Sequence, residues 1–268
     1  MKRKIILLII ILICIIGLIF SITNIIKWKD DSNKTEIQIK EIEEIVEVEE
    51  VKDTEKVEII EQKEDLEKSN PYWDYIKMNL INIDFKELKK INSDTKGWIK
   101  VNGTNINYPF VQYKNNKYYL NHSFDKSYNG AGWVFLDYRN NINNLDRNNI
   151  LYAHGRYDQT MFGSLKNILK SNWFKNSNNY VVKLSTEKEN TLWQVFSVYR
   201  IPTTNDYIQV NFNSNDEFIN WTNMLIKRSS YNFNTTINEN DKILTLSTCY
   251  NDDDKVVMHA KLIKKEAR

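Results

Sequence analysis

Two residues in this chain stand where a nucleophile and its proton carrier belong. Cys249 ends the apolar run that begins at Ile243, and Tyr250-Asn251-Asp252-Asp253-Asp254 follows at once. Residues 242–248 have the length and β-branched content of a buried strand. The thiol therefore sits where a strand leaves the core for a polar loop, within reach of solvent and substrate. An inert buried thiol is the competing reading. His154 ends a second run of the same kind, Asn149-Ile150-Leu151-Tyr152-Ala153, and Gly155 turns the chain after it. A closed sheet can bring both strand exits to one rim. A Cys with a distant His is the minimal pair for acyl transfer, because the imidazole handles protons for the thiol and for a leaving amine.

The remaining composition narrows the class. The chain has 268 residues, enough for one domain plus appendages. Lys and Arg number 37 against 35 Asp and Glu, so no basic excess points to nucleic acid. The other cysteine, Cys14, lies in the apolar N-terminal run, so no intrachain disulfide is expected. Residues 251–254 lack the alternating ligand spacing of a calcium loop and read as a solvated acidic loop. His122 and His259 read as structural histidines. With three His in all, a zinc site is not expected, nor is any metal or organic cofactor.

The N-terminus is the clearest physical signal. Met1-Lys2-Arg3-Lys4 precedes residues 5–26, which carry no charge. A bilayer-spanning helix needs about 20 such residues. The basic end predicts a cytoplasmic N-terminus, with everything after Lys27 outside the membrane. A cleaved signal peptide would show a shorter apolar stretch and a small-residue cleavage site, and neither is present. Residues 27–68 are rich in Glu and Lys, and their apolar positions keep no steady period. They predict a solvated, partly helical stalk; a coiled coil is the alternative. The expected organisation is a basic end (1–4), a transmembrane anchor (5–26), a charged stalk (27–68) and a catalytic domain (69–268).

Ser69-Asn70-Pro71 carries helix-start chemistry. Short helices are predicted at 72–80 and 84–90. Strands are predicted at 97–101, 105–108, 132–137, 149–154, 180–185, 191–200, 242–249 and 255–263. Asn102-Gly103 is a turn signal between the first two. Eight short strands predict a mainly β fold, a barrel or sandwich. One helix interrupts them late: Ser214-Asn215-Asp216 caps a segment with Phe218, Trp221, Leu225 and Ile226 at helical spacing, read as a packing stripe.

The chain resembles the sortases, cysteine transpeptidases of Gram-positive cell surfaces, and among them class B. Thr245-Leu246-Ser247-Thr248-Cys249 carries the resemblance. So does Tyr152-Ala153-His154-Gly155 followed by Met161-Phe162-Gly163-Ser164-Leu165. Gly97-Trp98-Ile99, Ile106-Asn107-Tyr108-Pro109-Phe110-Val111-Gln112, Tyr118-Tyr119-Leu120-Asn121-His122 and Gly132-Trp133-Val134-Phe135-Leu136-Asp137-Tyr138-Arg139 extend it. The resemblance covers residues 70–264. It implies an eight-stranded β-barrel with N-terminal helices and a helix between the sixth and seventh strands.

The resemblance also implies roles. Cys249 is the nucleophile and His154 the general acid/base. The family's third catalytic residue is an Arg on the strand after the Cys, and Lys255 falls at its position. A Lys offers charge but only a point-like ammonium, so the exchange is not conservative. Arg139 and Arg156 are the spare cations. Ser247 and Tyr152 resemble substrate-lining positions, since strand alternation points each to the side of its catalytic neighbour; barrel packing is the other reading of Tyr152. Asn116 and Leu120 resemble a peptide-groove pair. The implied reaction cleaves a Thr–Gly-type bond in the C-terminal sorting signal of an exported protein. It proceeds through a thioester and joins the product to a peptidoglycan amine. Two alternatives remain: a pilin-polymerising enzyme whose acceptor is a Lys amine, and a catalytically weak surface scaffold that keeps the fold. A peptidoglycan cross-linking Cys enzyme would want a Ser-His-Gly-Cys-like run, which this sequence lacks.

Overall fold

The computed structural model describes residues 2–60 and 70–268. Helix α1 (Lys2–Ile45) carries the predicted span and continues past it. Strands β1 (Glu49–Val51) and β2 (Val57–Ile59) follow, then α2 (Tyr72–Tyr75), β3 (Leu80–Asn82) and α3 (Lys86–Ile91). The barrel strands are β4 (Thr95–Val101), β5 (Asn107–Val111), β6 (Phe135–Leu136) and β7 (Asn148–Tyr152). After the one-turn α4 (Ser171–Phe174) come β8 (Val181–Thr186), β9 (Glu189–Pro202), helix α5 (Asn215–Arg228), β10 (Ile243–Cys249) and β11 (Asp254–Ala267).

Eight of these strands close a barrel in the order β10-β7-β6-β5-β4-β8-β9-β11, with β11 pairing back on β10. Each strand expected from the sequence is present, with ends shifted by a few residues. Gly103 takes φ +70° in the turn after β4, the left-handed backbone its Asn-Gly signal requires. Helix α5 lies between the sixth and seventh barrel strands. Ser214 caps it by accepting a hydrogen bond from the Glu217 N–H at 3.1 Å. Its Phe218, Trp221 and Leu225 pack with Phe196, Tyr199, Ile243 and Val257, as the stripe predicts.

The segment before the barrel differs from its sequence reading. Predicted cap Ser69 and stalk residues 61–68 lie outside the described residues. The predicted helix over 72–80 is shorter. Asn70 Oδ1 accepts from the Tyr72 N–H at 3.0 Å and starts α2, which stops at Tyr75. Residues 80–82 instead pair with β1, and β2 pairs with Lys264–Glu266 of β11. Where the sequence predicts a solvated, partly helical stalk, the helical part is seated on the domain. Asp31, Ser32, Thr35, Gln38, Ile42 and Val46 are buried, at the spacing of one helix face. Four of these six are polar, so a search for apolar periodicity passes over the face.

Lys264 anchors this segment. Its side chain is fully buried, and its ammonium donates to the carbonyls of Ile76 (2.9 Å) and Met78 (2.8 Å) and to Asp53 (2.5 Å). Replacing it by Met strands the two carbonyls and removes the partner of the exposed Asp53 carboxylate. We expect Lys264→Met to lower the unfolding free energy by ~3 kcal/mol, read as a shift in the urea midpoint with an unchanged slope.

Candidate active site

Strand register sets the site. β10 and β7 are parallel, with Ser247 opposite Tyr152. Both strands therefore end at one level, and their next residues lie side by side. Thr248 Oγ1 donates to the Ala153 carbonyl at 2.8 Å and ties the two ends together. One step further, Cys249 and His154 leave the strands beside each other and line the same two cavities. Gly155 makes this approach possible. A Cβ there would stand 2.1 Å from the Cys249 carbonyl oxygen and 3.0 Å from Thr248 Oγ1. On the other edge of β10, Cys249 pairs with Lys255 of β11. Cross-strand neighbours share a face, and Lys255 Nζ lies 3.0 Å from Cys249 Sγ.

Cys249 is half-buried, so the sulfur is neither sealed in the core nor open on all sides. The ammonium beside it can meet negative charge on the sulfur or on a carbonyl oxygen brought next to it. His154 is oriented from behind: its Nε2 lies 2.7 Å from the Leu120 carbonyl. A carbonyl only accepts, so Nε2 carries the hydrogen of this contact.

The first cavity, of about 430 Å³, is walled by Cys249, His154, Lys255 and the four expected lining residues, Ser247, Tyr152, Asn116 and Leu120. The side chains divide the work. Ser247 Oγ is bonded to the Tyr207 hydroxyl at 2.9 Å. Tyr152 donates its hydroxyl to Asp137 at 3.0 Å. Asn116 donates to the same carboxylate at 2.9 Å and accepts from the Tyr138 N–H at 2.9 Å. Asn116 thus shapes the wall with its amide already engaged. Leu120 presents an exposed side chain and uses its carbonyl on His154.

Asp137 is the hub behind this wall. It is fully buried and takes Arg139 through Nε and Nη2, both at 2.8 Å. Burial pushes its carboxyl up, but the hydrogen bonds from Arg139 and Asn116 outweigh burial and hold it below its ordinary value. Burial next to this carboxylate pushes the Tyr152 phenol well above its ordinary value, so it stays a donor.

Neither spare arginine contacts the sulfur. Arg139 is held by Asp137 and the Ile208 carbonyl. Arg156 is buried and bonded to Asp158 and Ser32. His259 is fully buried, with Thr245 Oγ1 at 2.9 Å and the Tyr199 hydroxyl at 2.8 Å on its two nitrogens. Desolvation pushes its pKa down to about 3, and it is a neutral packing group. His122 stacks on Tyr118 and bonds to the Tyr118 carbonyl.

The family model described as Sortase domain matches residues 99–263. Sortase B of Staphylococcus aureus is 36% identical over 184 residues, which cover 67% of this chain and 75% of that protein. This chain belongs to the sortase family. It is a class B-like cysteine transpeptidase. The Staphylococcus aureus sortase B–substrate complex superimposes with TM-score 0.63 at 36% identity, covering 67% of this chain and 84% of that one. A sortase B complexed with triglycine gives TM-score 0.63, 36% identity and coverages of 67% and 85%.

Two lining elements of this sortase escape a reading of motifs. One is the connection between β9 and α5, whose Thr203, Thr204, Asn205, Tyr207 and Ile208 form a cavity wall. The buried Asn148 fixes it by donating to the Gln209 carbonyl at 2.9 Å. The other is Lys166, which lines the second cavity with Cys249 and His154 and donates to the Gly155 carbonyl at 2.8 Å. Burial pulls its ammonium below the ordinary value, partly offset by Cys249. The Tyr207-Ile208 pair inside a polar stretch was the one available signal for the first; Lys166 gave none.

Gly155→Ala forces the His154 turn away from Cys249. A displacement near 1 Å can cost about 100-fold in rate, and we expect a loss of that order in transpeptidation of a fluorescent sorting peptide, with thermal unfolding changed far less. Asp137 generates a second expectation. Its folded pKa is depressed, so its stabilising contribution is present above the unfolded value of about 3.9. It is lost as pH falls through the lower folded value. Asp137→Asn should therefore be destabilised at neutral pH, and the gap from wild type should close as the pH falls below about 4 in denaturation midpoints.

Proposed function

We propose that Cys249 is the nucleophile, His154 the general acid and base, and Lys255 the oxyanion-stabilising cation of this sortase. The observation that carries the reading is the Lys255 ammonium 3.0 Å from the Cys249 sulfur, at a cavity that His154 also lines. In the first half-reaction His154 takes the Cys249 thiol proton and the sulfur attacks the carbonyl of a Thr–Gly-type bond in the C-terminal sorting signal of an exported protein. Negative charge moves to the carbonyl oxygen, where Lys255 meets it. The C–N bond breaks as His154 gives its proton to the departing amine, leaving a thioester on Cys249. In the second half-reaction an amino group attacks the thioester, His154 takes its proton, the C–S bond breaks, and His154 passes that proton to the sulfur, restoring the thiol. The acceptor is an amine of the cell wall peptidoglycan. The substrate-bound and triglycine-bound sortase B structures support a peptide donor and an amine acceptor for this chain.

The N-terminal helix completes the proposal. Its residues 5–26 carry no charge and are exposed along their length, and it is long and apolar enough to cross a membrane. The protein is a single-pass membrane protein with a cytoplasmic basic end and the barrel outside the cell.

One feature favours a second reading, a surface scaffold with little activity: Lys stands where the family has Arg. A bidentate fork is lost, yet the charge is delivered to the sulfur. Two variants separate the readings. Cys249→Ala should abolish ligation of a sorting peptide to an amine, and persistent ligation by that variant sinks the assignment. Lys255→Ala should lower the rate by 100- to 1,000-fold, roughly the cost of removing one oxyanion-stabilising donor. An unchanged rate would leave Lys255 without its role, and a wild-type chain that ligates no faster than Cys249→Ala would favour the scaffold.

A further inference from the structure

We propose that the barrel sits on the bilayer with its Cys249–His154 end facing the lipid, held there by α1 as a rigid strut, and that Trp28, Tyr128 and Tyr157 form a rim against anionic headgroups. This rests on the reading of α1 as a membrane span.

The first observation is where the domain begins to touch the helix. Residues 3–30 of α1 are exposed, and the first buried residue is Asp31. The first side chains to meet the domain are Lys27, whose ammonium lies 5.4 Å from the Tyr128 ring, and Trp28, with the Arg156 guanidinium 5.4 Å from its ring. A helix rises about 1.5 Å per residue, so Trp28 stands about 3 Å beyond Ile26, the last apolar residue of the span. A bilayer around residues 5–26 therefore reaches the domain surface, and that surface carries Tyr128 and Arg156.

The second observation is which end of the barrel this is. From Asp31 onward the helix is bonded to the loops around the site. Asn129 Nδ2 donates to the Asp31 carbonyl (3.2 Å) and Thr35 Oγ1 (3.1 Å), and Ser32 Oγ donates to Asp158 at 2.7 Å. Asp158 and Arg156 belong to the turn that follows His154. Gly130 packs on the Asp31 carboxylate and also lines the second cavity beside His154 and Cys249. The chain then leaves the bilayer: Gln38 accepts from the Phe124 N–H, Ile42 and Val46 enter the core, and β2 pairs with Lys264–Glu266 at the far end of β11 from Lys255. The N-terminal segment thus meets the barrel at the site end and reaches the opposite end by β2.

The third observation is what that end displays. Tyr157 is 87% exposed, Tyr128 59% and Trp28 42%, with Lys27 and Lys29 on the same helix turn. Amphipathic rings and lysines flanking an apolar span are the composition that settles at a headgroup plane. The second cavity, of about 410 Å³, includes Tyr157 in its lining. In this orientation one opening of the site lies at the lipid surface.

The test uses the full chain in vesicles of phosphatidylcholine and phosphatidylglycerol, in a Cys14→Ser, Cys249→Ala background. Single probes are placed through Tyr128→Cys, Tyr157→Cys or Lys188→Cys, the last in the exposed β8–β9 turn at the opposite end. A fluorophore on each is quenched by a headgroup-spin-labelled lipid. The orientation predicts severalfold stronger quenching at 128 and 157 than at 188. Equal quenching at all three, or quenching at 188 alone, overturns it. Carbonate extraction of the same vesicles tells its failure from that of the anchor. A chain released by carbonate has no span, and both readings fall. A retained chain with unquenched 128 and 157 keeps the span and refutes the orientation.

Discussion

The site depends on one contact, the approach of Gly155 to the backbone of Cys249. Parallel pairing of β7 and β10 carries His154 and Cys249 to one rim, but pairing alone leaves strand exits free to splay. The missing Cβ at 155 lets the turn close on the Cys249 carbonyl, and Thr248 locks the adjoining position through Ala153. Lys166 adds a tie by donating to the Gly155 carbonyl. Everything else in the site is arranged around that junction. Lys255 arrives because β11 returns along the other edge of β10 in the register that places it opposite the sulfur.

A second layer holds the junction from behind. The Leu120 carbonyl turns the His154 ring. Asp137 gathers Arg139, Asn116 and Tyr152 into one bonded group, so the wall facing the sulfur is stiffened by a buried charge with its partners. Such a group is costly to bury incompletely and rigid when complete. The docked stretch of α1 reaches the same region through Arg156 and Asp158, so the segment that joins the anchor to the barrel also braces the turn after His154.

Much of this was legible in the residues. Alternating and β-branched runs marked all eight barrel strands, and apolar spacing with a Ser cap marked α5, because these elements are set by local pattern and one buried face. The runs ending in Cys249 and His154 showed as strand exits for the same reason. Other features are set by distant partners and leave little local trace. Residues 80–82 pair as a strand because β1 lies beside them, though their neighbours read as helix. The docked face of α1 is closed by Asp31, Ser32, Thr35 and Gln38 through hydrogen bonds, and hydropathy cannot see a buried face made of polar groups. Asn116 resembled a groove residue, yet its amide is consumed by Asp137 and Tyr138, which the sequence places more than twenty positions away.

The decisive question is where the acyl group goes. Incubating the protein with a sorting-signal peptide and no amine acceptor, then trapping at low pH and mapping by mass spectrometry, tests this most directly. The expected result is a hydroxylamine-sensitive acyl adduct on Cys249, with the peptide's C-terminal fragment released in equal amount. A protein that binds the peptide yet carries no adduct, or carries it at another residue, would contradict the convergence of sulfur, imidazole and ammonium as the source of activity.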